Sequence, residues 1–206
     1  MKNDAQPKLY LISKSPRRSE ILKHLQIKFD ALGSTYEEDP KDVNKLRPSD
    51  QPVRLAYLKA SNPEKKIENA LLIGADTIVL CDGKILGKPH SRDEAEAMLR
   101  TLSSRSHQVI TGIVLLDQAN NKTYSHTEIT DVYFKTLSEK ELQRYLDTDE
   151  PYDKAGAYGI QDLAALFVER LDGCYYNVVG FPVAAFGKLM KVAGYDLGDY
   201  MEVYNK

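Results

Sequence analysis

Charged side chains, hydroxyls and glycines recur together in five short segments, and the first of these follows a strand-like run. Ser13, Arg17 and Arg18 lie in the segment S-K-S-P-R-R. Free N–H groups at a helix start, together with guanidinium donors, are groups that bind phosphate. A capped surface helix with solvated arginines is the alternative, and the segment alone favours neither interpretation.

The second segment places a carboxylate inside an apolar run. Asp76, followed by Thr77, interrupts the stretch L-L-I-G-A-D-T-I-V-L. Because burying a carboxylate is costly unless it is paired or binds a metal, we favour a functional Asp76. The alternative is a structural carboxylate that accepts hydrogen bonds from backbone donors.

The remaining segments carry weaker or more mixed signals. Lys88, in L-G-K-P, could present its ammonium to a phosphate, although for that motif alone an exposed turn lysine is the favoured interpretation. The stretch E-P-Y-D-K-A-G-A-Y-G-I-Q contains Asp153, Lys154 and Gln161. It predicts either a metal and phosphate loop with a base-reading amide, or a structural loop held by an ion pair. The fifth segment, G-C-Y-Y-N-V-V-G-F-P, could line the pocket or pack the last helix, and we favour packing.

The composition excludes several classes of protein. The 206 residues include 28 Lys and Arg against 30 Asp and Glu, without the basic excess of a nucleic-acid-coating protein. Cys81 and Cys174 are far apart and the four histidines do not cluster, so neither a disulfide framework nor a zinc site is expected. No apolar run has membrane-spanning or signal-peptide length, which predicts a cytoplasmic protein. P-loop, dinucleotide-binding and nucleophile-elbow motifs are missing from the sequence.

The elements that must position these residues alternate between strand and helix patterns, which is typical of a mixed α/β fold. The expected strands cover residues 8–13, 27–31, 71–80, 84–87, 108–116, 123–135, 166–171 and 175–179. The expected helices begin at Ser15-Pro16, near residue 53, at the capping boxes Ser91–Glu94 and Ser138–Glu141, and at Pro182.

In this order and spacing the segments resemble the Maf family of nucleoside triphosphate pyrophosphatases. The matching stretches are S-K-S-P-R-R-S-E-I-L, the pair Glu37-Glu38, V-R-L-A-Y-L-K-A, G-A-D-T-I-V, L-G-K-P, H-Q-V-I-T-G, E-P-Y-D-K-A-G-A-Y-G-I-Q and Y-Y-N-V-V-G-F-P. They extend from Leu9 to about Leu189, which is nearly the whole chain.

The resemblance implies a mixed sheet with flanking helices, as a single domain over residues 1–206 with two lobes around a cleft, similar to inosine triphosphate pyrophosphatases. It implies hydrolysis of a nucleoside triphosphate to the monophosphate and pyrophosphate with Mg²⁺ or Mn²⁺. The expected catalytic residues are Asp76, Glu38 and Lys88. The expected substrate-binding residues are Ser13, Arg17, Arg18, Lys59, Thr77, Lys154 and Gln161. Oxygen ligands for the metal are expected from Asp76, Glu38 and Asp153.

Within the family, S-P-R-R, G-A-D-T and D-K-A-G-A-Y-G-I-Q resemble the branch that acts on dTTP and UTP. Lys14, Asp162 and Cys174 depart from the family pattern, and Asp162 could alter the pocket. A 7-methyl-GTP or other modified-nucleotide pyrophosphatase is one alternative function. A non-catalytic nucleotide-binding regulator of cell division is another. We expect no nucleic-acid or membrane partner, and a homodimer is allowed.

Overall fold

Strands of both orientations form one sheet in the computed structural model of the chain, whose described part covers residues 6–202. The strands are β1 (Lys8–Ile12), β2 (Asp30–Leu32), β3 (Ala70–Cys81), β4 (Lys84–Leu86), β5 (Ser106–Asp117), β6 (Lys122–Phe134) and β7 (Val168–Asp172). Their order is β2-β1-β3-β5-β6-β7, with β4 paired to β3. β1 runs parallel to β2 and β3, whereas β4 and β7 run antiparallel to β3 and β6. The predicted mixed sheet is therefore confirmed.

Helices flank the sheet, as expected for a mixed α/β chain. They are α1 (Pro16–His24), α2 (Gln51–Ser61), α3 (Arg92–Leu102), α4 (Glu139–Leu146), α5 (Tyr175–Val179) and α6 (Val183–Ala193). The hydroxyls of Ser91 and Ser138 accept the backbone N–H three residues later, and Ser138 with Glu141 forms a complete capping box. No helix in the described range is long and apolar enough to cross a membrane.

The strand predicted at residues 175–179 is wrong, because this stretch is helix α5. The amide of the fully buried Asn177 donates to the carbonyl of Val109 and to the hydroxyl of Thr130, both at 2.9 Å. The helix ends at Gly180, which has a φ of 110° that favours glycine. Tertiary hydrogen bonds thus override the strand preference of a Tyr- and Val-rich stretch.

Two compact units divide the chain. The first contains Met1–Asp76, Gly112–Thr127 and Val183–Lys206, and the second contains Thr77–Thr111 and Glu128–Pro182. One boundary falls inside β3, between Asp76 and Thr77 of the segment G-A-D-T. That segment therefore contributes one candidate site residue to each unit.

In the first unit, two glycines allow helix α2 to lie directly on the strands. A Cβ at Gly74 would come within 2.2 Å of the carbonyl oxygen of Ala56 in α2. A Cβ at Gly112 would come within 2.1 Å of the backbone nitrogen of Val53. Because nothing larger than glycine fits at either position, these two strand residues set how close α2 can lie.

An aromatic cluster around a buried histidine forms part of the core of the second unit. The His107 ring is 3% exposed and makes edge contacts with Phe134 and Tyr158. Its Nε2 lies 2.7 Å from the Tyr158 hydroxyl, and Nδ1 has no hydrogen-bond partner within residues 6–202. Burial lowers the pKa of His107 to about 4, and the charge of Asp131 opposes this shift. The imidazole is therefore neutral at physiological pH.

This neutral histidine should make folding stability fall on acidification. Below the ordinary value of 6.5 the unfolded chain binds a proton at His107, whereas the folded protein binds it only near pH 4. We expect wild type to lose about 2 kcal/mol more unfolding free energy than His107→Phe between about pH 7.5 and pH 5.0. Denaturant titrations of both proteins would measure this difference, and equal losses would show that His107 does not carry it. The carboxylates contribute equally to the pH dependence of unfolding in both proteins, so their contribution cancels in this difference.

Candidate functional site

Lys59 joins two carboxylates in the first unit. Its Nζ lies 2.6 Å from Glu38 Oε1 and 2.5 Å from Asp76 Oδ1. The Asp76 residue is only 8% exposed, whereas more than half of the Glu38 side chain faces solvent. Helix α2 supplies Lys59 and strand β3 supplies Asp76, so the close approach allowed by Gly74 brings the two side chains together. The sequence predicted all three residues for the site.

Glu38 lies on a loop that is fastened to the end of α2. The Thr35 N–H donates to the carbonyl of Asn62 at 2.9 Å. The Ser34 hydroxyl lies 3.0 Å from the carbonyl oxygen of Lys59. The backbone that carries Lys59 therefore also anchors the loop that carries Glu38.

The turn between β1 and α1 carries the predicted phosphate-binding residues of the first unit. Ser15 occupies the N-cap of α1, but its side chain makes no cap hydrogen bond. The Ser13 hydroxyl instead accepts from the Ser15 N–H at 3.2 Å and from the Arg18 guanidinium at 3.3 Å. Arg17 and Arg18 are both half-buried. Two guanidiniums are thus present at a helix start, an arrangement that suits phosphate binding.

Burial and charge act in opposite directions at this cluster. Burial raises the pKa of the Asp76 carboxyl, and the charges of Lys59 and Arg18 oppose that rise. Burial lowers the pKa of Arg18, and the charge of Asp76 opposes that decrease. Because burial raises the pKa of Asp76, this carboxyl has a higher proton affinity than an exposed one, which suits a general base.

In the second unit, Lys154 is a buried cation with several oxygen partners. Lys154 is 8% exposed, and its Nζ donates to the Glu150 carbonyl at 2.9 Å and to Asp153 at 2.7 Å. The carboxylate of Asp162 lies 3.4 Å from the same ammonium. The departure at Asp162 thus places a second carboxylate beside Lys154.

The segment that carries Lys88 is connected to the same loop. The Gly156 N–H donates to the Gly87 carbonyl at 3.0 Å, and Gly156 has a φ of 70°. A Cβ at Gly156 would also come within 3.1 Å of Val79. Lys88 and Gln161 are both exposed, so their side chains are open to solvent.

A chain of hydrogen bonds fixes the proton of Thr77. Its Oγ1 lies 2.9 Å from the Thr111 hydroxyl, which donates to the Asn177 carbonyl at 3.1 Å. Because a carbonyl only accepts, the single proton of Thr111 is used there and Thr77 must donate to Thr111. The sequence did not lead us to predict Thr111 as a site residue, although Thr111 lies in the family-matching stretch H-Q-V-I-T-G.

The structure thus groups the predicted site residues within each unit. The first unit contains Ser13, Arg17, Arg18, Glu38, Lys59 and Asp76, and the second contains Thr77, Lys88, Asp153, Lys154 and Gln161. The roles assigned to them stay predictions. The G-C-Y-Y-N-V-V-G-F-P segment packs through the buried Asn177, which donates to Val109 and Thr130, whereas its expected packing on the last helix stays a prediction.

The carboxylate pair of the first unit has the donor chemistry of a hard divalent cation. Glu38 and Asp76 offer oxygen ligands, and both already bind one cation, the Lys59 ammonium. Among residues 6–202, no group of three or more His, Cys, Asp or Glu side chains is arranged to hold a metal. Because Mg²⁺ is often bound by one or two carboxylates together with substrate phosphates, the pair fits such an ion.

Known proteins match nearly the whole chain. A family model described as Maf-like protein matches residues 8–193. The dTTP/UTP pyrophosphatase of Carboxydothermus hydrogenoformans is 44% identical over 188 residues, which cover 91% of this chain and 100% of that protein. The dTTP/UTP pyrophosphatase of Alkaliphilus metalliredigens is 47% identical over 186 residues, which cover 89% and 94%. That of Pelotomaculum thermopropionicum is 43% identical over 189 residues, which cover 92% and 98%.

A more distant likeness exists among solved structures. A HAM1 protein from Coxiella burnetii has a TM-score of 0.41 and 14% identity, over 62% of this chain and 73% of that one, which is too remote to carry an argument. The family match and the sequence relatives need no such support. They span most of the chain at high identity, and the chain therefore belongs to the Maf family.

Proposed function

We propose that this chain hydrolyses nucleoside triphosphates, preferably dTTP and UTP, to the monophosphate and pyrophosphate. The observation that carries the proposal is the buried Asp76, paired with Lys59 at 2.5 Å beside Arg18. The names of the sequence relatives support the same reaction and the same substrates.

The residues of the first unit suit attack of water on the α-phosphorus. A bond forms between the water oxygen and this phosphorus, while the bond to the bridging oxygen breaks and pyrophosphate leaves. Asp76 accepts the proton of the water, and Arg17, Arg18 and Lys59 neutralise the charge that develops on the phosphate oxygens. Glu38 and Asp76 would hold a divalent cation, which would supply further charge neutralisation when bound.

The preference for dTTP and UTP follows from the polar groups assigned to base reading. Uracil and thymine present an N–H donor between two carbonyl acceptors. Gln161 offers both a donor and an acceptor, and Thr77 adds a hydroxyl that lies 2.9 Å from the Thr111 hydroxyl. A site built to hydrogen-bond these edges rejects a base that leaves them unpaired.

We therefore expect purified protein with Mg²⁺ to hydrolyse dTTP and UTP faster than GTP, ATP and 7-methyl-GTP. Gln161→Ala should reduce dTTP and UTP hydrolysis and weaken the preference, because truncation removes the amide. Gln143→Ala is the matched control, since that amide binds Glu139 and Arg92 on the helix surface. The measurement is kcat/KM for each triphosphate from pyrophosphate release.

Two outcomes would correct this proposal. Faster hydrolysis of 7-methyl-GTP than of dTTP and UTP would contradict the substrate assignment but leave the reaction intact. Nucleotide binding without release of pyrophosphate would support the non-catalytic regulator instead. A cytoplasmic location and a homodimer also stay predictions from the sequence.

A further inference from the structure

The ammonium of Lys59 takes the place of a cation between two carboxylates. It makes one short contact to Glu38 and one to Asp76, at 2.6 and 2.5 Å. The Lys59 side chain is only 20% exposed, so it lies within the cluster and does not extend into solvent. We infer that Lys59 excludes free divalent cations from this pair in the nucleotide-free protein. The inference rests on the proposed function and gives Lys59 a role before substrate binds.

A free divalent cation would have to displace Lys59 without an adequate replacement. It would break the charge-assisted hydrogen bond from Lys59 to Asp76, which is stronger than a neutral one, and the ion pair between Lys59 and Glu38. The displaced ammonium would remain beside the new cation and Arg18, whose charge already acts on Asp76. Two carboxylates alone also leave most of an octahedral coordination sphere to water. The pair should therefore bind free Mg²⁺ or Mn²⁺ weakly.

A polyphosphate removes two of these obstacles, the lost anionic partner of Lys59 and the missing oxygen ligands of the cation. Its oxygens give Lys59 an anionic partner, so the ammonium can leave the carboxylates without losing its charge compensation. The same phosphate groups bring oxygen ligands for the cation, which then needs only one or two from the protein. The divalent cation consequently enters together with the nucleotide, and the nucleotide-free protein stays without it.

Titration of the nucleotide-free protein with Mn²⁺ tests this directly, with free Mn²⁺ measured by electron paramagnetic resonance. Lys59→Met keeps an unbranched side chain that is one atom shorter and removes its charge. We expect it to bind Mn²⁺ at least about 10-fold more tightly than wild type, a difference of about 1.4 kcal/mol. Lys14→Met is the matched control, because it removes a lysine of the same unit that pairs with Glu64 at 3.0 Å. This control should bind Mn²⁺ as wild type does.

Lys59→Gln serves as a second variant, and circular dichroism shows that each protein is folded. If wild type binds Mn²⁺ as tightly as the folded Lys59 variants, the inference is wrong. An equal gain in Lys14→Met would also overturn it, since general charge repulsion would then explain the effect. Failure of the proposed function would appear separately, as a lack of pyrophosphate release from UTP and Mg²⁺ by wild type.

Discussion

Asp76→Asn should lower kcat for dTTP and UTP by at least about 100-fold while the protein stays folded, because it removes the general base. Asparagine keeps the size of the side chain and an oxygen that can accept from Lys59. It loses the charge whose burial raises the pKa of Asp76. Since an ionised carboxylate is costly to bury, we expect the melting temperature to stay the same or rise. Steady-state kinetics and thermal denaturation of the purified variant measure both effects.

Asp117 provides the matched control for this substitution. It is also a buried carboxylate, 1% exposed, but it accepts from the Tyr195 hydroxyl at 3.0 Å and from the Asn120 amide at 2.8 Å. Asp117→Asn should therefore lower the melting temperature and leave kcat near the wild-type value. Near wild-type turnover in Asp76→Asn would show that Asp76 is structural as well.

Removing divalent cations should abolish activity, with a loss of at least about 100-fold in kcat, since a bound metal supplies several kcal/mol of transition-state stabilisation. The physical reason is that Glu38 and Asp76 offer hard oxygen ligands beside residues suited to phosphate. Pyrophosphate release is measured after EDTA treatment and again after addition of excess Mg²⁺ or Mn²⁺. Both ions should restore activity.

A separate control shows whether the effect comes from the metal or from damage to the protein. Dialysis to remove EDTA, without added metal, should leave the protein inactive, and addition of Mg²⁺ should then recover turnover. Full activity in metal-free buffer is the result that this mechanism does not permit. Lys59, Arg17 and Arg18 would then have to provide all of the charge neutralisation.

Much of the fold could be predicted because local patterns and tertiary packing agree. The apolar run around Asp76 forms β3, and the capping box at Ser138 and Glu141 opens α4 as expected. Local patterns fail where contacts with distant residues determine the secondary structure. The stretch 175–179 reads as a strand from its side chains, but Asn177 donates to residues of β5 and β6, and the segment is helical.

The site was predicted in its residue types but not in its pairings. A buried carboxylate suggests function, yet Asp117 is also buried and has ordinary structural partners. The contacts of Lys59 with Glu38 and Asp76 join residues 21 and 17 positions away in the sequence, which no local pattern reveals. Likewise, Asp162 departs from the family pattern, and only the folded loop shows that it lies beside Lys154.

The most direct test of the proposed reaction is hydrolysis of UTP with Mg²⁺ in water labelled with heavy oxygen, with the products identified by mass spectrometry. Attack on the α-phosphorus transfers the water oxygen to that atom. The expected products are therefore UMP that carries one labelled oxygen and pyrophosphate that carries none. Labelled pyrophosphate with unlabelled UMP, or UDP with inorganic phosphate, would contradict the assignment of this chain as a nucleoside triphosphate pyrophosphatase that attacks the α-phosphorus.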